Sequence, residues 1–187
     1  MLSEKDILES AILVVRFQRG DRASFEAIVR LWEQRLFFYI RRMIQSEADA
    51  WELLQETWLK LFRSLGSLRD PRTLPAFLYT TARNTAISRL RTQKLQITTD
   101  NFDKVHDASA TVDIDAFDNA EQVHAAMEQL PLAQREALTL FFLQDLSLEQ
   151  IAELLDVPLG TVKSRLHYAK IAIRSILNPG DEHEHRA

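Results

Sequence analysis

Residues 147–177 read SLEQIAELLDVPLGTVKSRLHYAKIAIRSIL. Ser147 is a good N-cap, and Gln150 stands three residues later, where a capping box requires Glu or Gln. Leu148, Ile151, Ala152 and Leu155 then fall on one face of a short helix. Asp156-Val157-Pro158 breaks it, since proline cannot continue a helix but suits the first position of the next one. From there Val162, Leu166, Ala169, Ile173 and Ile176 recur at steps of four, three, four and three, which predicts a second, longer helix with one buried stripe.

The residues off that stripe carry the chemistry. Lys163, Arg165, Lys170 and Arg174 lie between Pro158 and Asn178 with no carboxylate among them, interleaved with Thr161, Ser164, His167 and Tyr168. A capped short helix, a tight turn and a cationic second helix describe a helix-turn-helix, whose second helix enters the DNA major groove. Two antiparallel core helices with a solvated polar face would give the same apolar pattern. Such a face normally mixes both charge signs, and this one does not.

Working outward, few glycines and prolines (four and five in 187 residues) favour long helices over many-turned β structure. The absence of cysteine excludes disulfides, thiolate metal sites and cysteine nucleophiles. MLSEKDILES has neither the cationic nor the apolar region of a signal peptide, and no uncharged apolar run approaches the roughly 18 residues that span a bilayer. A soluble, intracellular chain is expected. The net charge of −4 conceals segregation. Residues 1–99 balance at +5 (16 basic, 11 acidic), whereas residues 100–120 balance at −5 (one lysine, six aspartates). Phosphate attraction acts through local patches within about 10 Å, so the total does not argue against DNA binding.

Four helices are expected before the acidic stretch. Residues 4–19 place Ile7, Leu8, Ala11, Ile12 and Val15 on one side, with Gly20 as C-cap. The second, from about Ala23 to Ile44, aligns Phe25, Ile28, Val29, Trp32, Leu36, Ile40 and Met43. The third, from about Glu47 to Leu65, has a core stripe of Leu54, Trp58, Leu61 and Leu65 and a polar strip of Glu52, Gln55, Glu56 and Lys60. Residues 66–71, GSLRDP, form a loop. In the fourth, from about Thr73 to Lys94, Leu74, Phe77, Leu78, Ala82, Ile87 and Leu90 can face a core. Tyr79, Thr80, Arg83, Asn84 and Ser88 are left near or on the other side. Cations, amides and aromatics interleaved in a stretch without acids (residues 71–99) suit single-stranded or distorted DNA, although a cationic solvated helix accounts for them equally.

The expected architecture is all-α, with a four-helix domain over residues 1–95 and a flexible acidic linker over 96–120. A helix-turn-helix domain follows over 121–178, with a disordered tail over 179–187. The second domain opens with a helix carrying Val123, Ala126, Met127 and Leu130, and a supporting helix from about Ala133 to Leu143 precedes the motif.

Four stretches in this order resemble an extracytoplasmic-function (ECF) sigma factor, the compact two-domain branch of the bacterial sigma-70 family. They are GDRASFEAIVRLW, WELLQETWLKLFRSL, FLYTTARNTAISRLR and LPLAQREALTLFFLQDLSLEQIAELLDVPLGTVKSRLHYAK. The resemblance implies a non-enzymatic protein that binds the β and β′ subunits of core RNA polymerase and directs initiation at promoter DNA. Glu52, Leu53, Gln55 and Glu56 would meet the clamp helices of β′. The loop of about residues 65–73, with Arg69, would hold a base flipped from the minus-ten element, at a cost of a few kcal/mol that pocket contacts offset. Tyr79, Arg83, Asn84, Ser88 and Arg91 would read that element. Thr161, Lys163, Ser164, Arg165, His167, Tyr168 and Lys170 would read the minus-thirty-five duplex. A cytoplasmic site of action, an anti-sigma factor that can hold the chain at the membrane, and no cofactor or metal are further implications. The chain departs from the family pattern at two places in the first domain. Ala50-Trp51-Glu52 stands where Ala-Glu-Asp is frequent, and Thr80 where a cation is common. His167 and Tyr168 occupy positions usually aromatic or basic, which makes a distinctive promoter sequence the expectation.

Two other classes fit less well. A stand-alone regulator would use residues 147–177 for DNA and residues 1–95 for sensing, but leaves WELLQE and LYTTARN unexplained. For an enzyme, Gly20, Gly66, Gly160 and Gly180 are too scattered for a phosphate loop, and the histidines form no HExxH pair. His183 and His185 could touch a metal, but a frayed polar terminus explains them better.

Overall fold

The computed structural model describes residues 4–44, 46–95, 120–144 and 146–177. Among them are eight α-helices: α1 (Glu4–Gln18), α2 (Ala23–Met43), α3 (Glu47–Ser64), α4 (Leu74–Leu95), α5 (Ala120–Glu128), α6 (Leu132–Leu138), α7 (Leu148–Leu155) and α8 (Leu159–Leu177). No strand occurs among the described residues, and the fold is all-α. The chain divides into two compact units, Met1–Phe102 and Asp103–Ala187. The acidic segment expected to be a flexible linker lies outside the described residues up to residue 119, as does the tail expected to be disordered.

In the first unit α2 packs against α1, α3 and α4. Ile28, Trp32, Leu36, Tyr39 and Ile40 along α2 are all but inaccessible to solvent. The spacing of this stripe is that of the expected one, with Tyr39 added. Trp32 meets the ring of Tyr79 on α4 edge-on at 6.2 Å, and Tyr39 meets the same ring at 5.4 Å. A second aromatic group forms where Phe25 contacts Phe17, Phe62 and Trp58 at 5.0–6.0 Å.

The buried face of α1 departs from expectation. Leu8 and Ile12 are exposed, whereas Ser10, Ala11 and Val14 are buried. The cause is a polar core position: Ser10 Oγ accepts a hydrogen bond from Trp32 Nε1 at 3.0 Å and donates to the Asp6 carbonyl at 2.6 Å. A buried indole N–H without an acceptor is costly, and the face of α1 that supplies one is turned by about a quarter of a turn from the purely apolar stripe, at 100° per residue. Gly20 has the expected left-handed cap conformation, at φ 98°. Asp21 then accepts from Ala23 N and Ser24 Oγ, and the Ser24 bond first among several holds its carboxyl below the usual range.

In the second unit α8 packs against α5, α6 and α7. The supporting helix is shorter than expected, because after Leu138 the chain widens into a π-helical turn, Thr139–Leu143. The capping box at Ser147 forms in both directions, with Gln150 N to Ser147 Oγ at 3.2 Å and Ser147 N to Gln150 Oε1 at 2.8 Å. Asp156 ends α7 in the left-handed conformation (φ 55°, ψ 52°). Pro158 sits one position earlier than anticipated, as the residue before α8, and its carbonyl accepts from Thr161 N and Val162 N.

Replacing Tyr79 with alanine removes the ring on which two others pack, and should cost about 3–5 kcal/mol of stability. Ser147→Ala should cost about 1 kcal/mol by opening one cap. Denaturant unfolding, followed by helicity, measures both.

Candidate nucleic-acid and polymerase interfaces

On α4, Asn84, Ser88 and Arg91 are exposed and fall within about a sixth of a turn of one another at 100° per residue. Arg83 is half-buried at the edge of this face. Tyr79 is the correction: it lies on the opposite side of the helix, fully buried, so its ring is no stacking platform for a base. The sign in the sequence was faint: Tyr79 shares a face with Ala82 and Ala86, but alanines mark a core weakly and a tyrosine fits a wet face as well as a buried one.

The loop before α4 is built by local capping and one remote tether. Short 3₁₀ turns, Leu65–Ser67 and Pro71–Thr73, bracket it. Asp70 accepts from Arg72 N at 2.9 Å, and Thr73 Oγ1 donates to the Asp70 carbonyl at 2.7 Å. The amide of Gln18, at the end of α1, donates to the Leu65 and Leu68 carbonyls at 3.3 and 2.8 Å. Arg69 is exposed at the tip.

On α3, Glu52, Gln55 and Glu56 are exposed, but Leu53 is entirely buried. Leu53 and Leu54 both face the core, because α3 packs on two helices, α2 and α4, and buries more than one stripe. The acids of the strip are tied to neighbouring cations. Arg89 of α4 reaches Glu52 at 2.9 Å and Asp49 at 3.9 Å. Lys60 Nζ lies 2.8 Å from Glu56 and donates to Thr85 Oγ1 of α4 at 3.1 Å. Arg89, Lys60 and Thr85 therefore join the two helices that carry the expected polymerase and minus-ten residues. Reading the sequence did not select Arg89 or Thr85, since a cross-helix pair appears only once α3 and α4 are packed.

In the second unit Lys163 is exposed, and Thr161, Arg165, Tyr168 and Lys170 are half-exposed. Ser164 and His167 are buried, contrary to the expectation that they project away from the supporting helices. Three helices enclose α8, so its buried surface extends beyond the Val162–Leu166–Ala169 stripe. Burial of Ser164 is tolerated because its hydroxyl donates to the Thr161 carbonyl at 3.0 Å. The Lys170 ammonium lies 5.2 Å over the ring of Phe142 in the π-helical turn, a cation–π contact that steadies it. Glu149, in the first turn of α7, is held below its usual range by its own backbone N–H, by Ser147 and by the charge of Lys163. A depressed carboxylate stabilises the fold above its ordinary pKa, and this contribution fades as pH falls through the folded value.

No helix among the described residues is long and apolar enough to cross a membrane. No group of three His, Cys, Asp or Glu among them is placed to hold a metal ion.

Two helical units, one ending in a helix-turn-helix and the other presenting a cationic helix beside an acidic one, define a DNA-binding transcription factor. The match to known proteins is specific. Models of sigma-70 region 2 and sigma-70 region 4 match residues 28–96 and 120–173. The chain is 32% identical to the RNA polymerase sigma-H factor of Pseudomonas aeruginosa over 179 residues, 89% of this chain and 93% of that one. It is 30% identical to the ECF RNA polymerase sigma-E factor of Escherichia coli over 184 residues, 92% and 96% of the two chains. Its fold is similar to that of CnrH in complex with the cytosolic domain of CnrY (TM-score 0.68, 19% identity, 92% of this chain and 99% of that one). It is also similar to the sigma factor RpoE of Bartonella quintana in complex with the anti-sigma factor NepR (0.66, 23%, 82% and 96%). The chain belongs to the ECF sigma factors of the sigma-70 family.

The Arg89–Glu52 pair is part-exposed, with side chains 27% and 63% accessible, so it should add at most about 1 kcal/mol and weaken with salt. A double-mutant cycle of Arg89→Ala and Glu52→Gln on unfolding, at low and high ionic strength, measures that coupling.

Proposed function

We propose that this chain binds core RNA polymerase through α3 and directs initiation at promoters read by both units. The observation that carries the reading is the exposed face of α4: Asn84, Ser88 and Arg91, with Arg83 at its edge, beside a helix whose exposed strip holds Glu52, Gln55 and Glu56. The first side suits unstacked bases and phosphates, and the second suits a cationic protein surface. Residues 1–95 form the polymerase-binding and minus-ten domain in this reading, and residues 121–178 the minus-thirty-five domain. Thr161, Lys163, Arg165, Tyr168 and Lys170 meet the upstream duplex directly. Ser164 and His167 shape α8 from within, and Leu53 and Tyr79 act as core.

The chain itself makes and breaks no covalent bond; nucleotide addition belongs to the polymerase. Its place of work is the cytoplasm, with an anti-sigma factor restraining it there or at the membrane. Two of its structural neighbours are complexes, one of them with an anti-sigma factor, and this supports the presence of such a partner.

Gln55→Ala with Glu56→Ala should weaken binding to core polymerase with helicity intact, as titrated by fluorescence anisotropy of the labelled chain. On the DNA side, Asn84→Ala should impair opening at the minus-ten element. Arg165→Ala should cost about 1–3 kcal/mol at one base pair if it contacts a base edge. If it contacts a phosphate, it should instead lower the salt slope by about one for all promoters. A promoter-variant panel separates the two. Unchanged promoter selection and affinity in both the Asn84 and Arg165 variants would sink the reading.

A further inference from the structure

We propose that the loop of residues 65–73 grips a backbone phosphate of promoter DNA through Arg69 and Arg72, and that Gln18 is the positioning residue that holds the two guanidiniums in register. The inference rests on the reading that the outward face of α4 meets DNA, and adds a site and a ligand chemistry to it. The family resemblance gives this loop a flipped base, whereas its own free groups fit the backbone.

Apart from its two arginines, the loop turns its polar side chains to its own backbone. Ser67 Oγ donates to the Ser64 carbonyl and Thr73 Oγ1 to the Asp70 carbonyl, both at 2.7 Å, while the Asp70 carboxylate accepts from Arg72 N at 2.9 Å. Leu65 is buried, and the Gln18 amide holds the Leu65 and Leu68 carbonyls from outside the loop. Arg69 and Arg72 are exposed, and among the described residues neither side chain meets a hydrogen-bond or ion-pair partner. Two guanidiniums three residues apart on a fixed frame offer planar forks that match phosphate oxygens.

The surrounding charge selects an anion. The rings of Phe17, Phe25 and Phe62 meet at 5.0–5.7 Å, and α1 packs against both 3₁₀ turns, so three helix ends gather at the loop. Residues 17–25 and 63–73 hold five arginines and two aspartates, an excess of three positive charges. Glu26 is answered by Arg30 at 3.9 Å, and Asp6 by Arg35 at 3.3 Å. Arg16 and Glu9 lie on the side of α1 away from Gln18 and offset each other. No carboxylate occurs on α4. A neutral base gains little from such a field, and an anion gains from all of it. An acidic protein segment would share that gain, but the loop runs directly into α4. Asn84 stands ten residues, about 15 Å, along that helix, within the span of a few nucleotides. A strand held by its phosphate at the loop meets Asn84, Ser88 and Arg91 in one register, since phosphate contacts position and base contacts specify.

The test measures binding of promoter forks, with the minus-ten strand single, by holoenzyme assembled from the full chain and its host's core RNA polymerase. The promoter is one mapped with that holoenzyme on host genomic fragments. Arg69→Ala and Arg72→Ala should each weaken binding about tenfold at low salt, equally for every base variant of the minus-ten element, and lower the salt slope by about one. Replacing the gripped phosphate by a neutral methylphosphonate should weaken wild-type binding to a similar degree and the arginine variants little further. Gln18→Met keeps the side-chain length but cannot donate. It should leave helicity and core affinity unchanged, weaken DNA binding, and shrink the further loss caused by Arg69→Ala. Full additivity of those two substitutions would overturn the positioning role. A loss confined to one base identity with the salt slope intact would mean a base pocket. Loss of core affinity with DNA binding intact would mean an acidic protein partner. Either overturns the grip. Asn84→Ala runs alongside. If it impairs binding while the arginine variants do not, the grip fails and the reading of α4 stands. If none of them impairs it, the reading of α4 itself fails.

Discussion

The ring of Tyr79 fixes the first unit. Wedged against Trp32 and Tyr39 of α2, it determines how α4 is rotated about its axis. Once Tyr79 points inward, helical geometry places Asn84, Ser88 and Arg91 outward on the far side, with no further instruction. Edge-to-face aromatic pairs add about 0.5–1.5 kcal/mol each to the gain from burying the rings, and their directionality discourages neighbouring rotations. A core contact thus orients a surface of polar, adaptable side chains.

The second unit reaches a comparable result by different means. There α8 is enclosed by α5, α6 and α7, and its orientation comes from packing on several sides. The turn leading into it is set by Asp156 in the left-handed conformation and by the reciprocal bonds at Ser147. Single non-glycine residues with short polar side chains adopt that conformation more readily than most, which keeps the turn tight without adding glycine's freedom to the unfolded chain. Lys163 and Arg165 then follow within two turns of the start of α8.

The helices were legible because apolar residues recur at helical spacing and because caps are local. Ser147, Gln150, Gly20 and Asp21 sit within a few residues of what they cap, so their roles could be read directly. Position on a face was less legible wherever a helix packs on more than one neighbour. Leu53, Ser164 and His167 are buried for that reason, and none belongs to the stripe a periodicity argument selects. The rotation of α1 was hidden by chemistry: Ser10 reads as a surface residue until the Trp32 N–H that needs it is known. The cross-helix pairs of Arg89 and Lys60 depend on side chains 25 or more residues apart, and no local pattern encodes them. The candidate site was therefore legible as a set of stretches, while its members were sorted only by packing.

The grip of Gln18 on the Leu65 and Leu68 carbonyls makes the shape of that loop a property of two distant segments. Neither contact involves a loop side chain, so two chains identical over residues 65–73 can hold the same letters in different shapes when position 18 differs. Specificity inferred by aligning the loop alone then compares unlike objects. A graft of the loop into a relative transfers its composition, and its geometry travels only when the end of the first helix is carried with it.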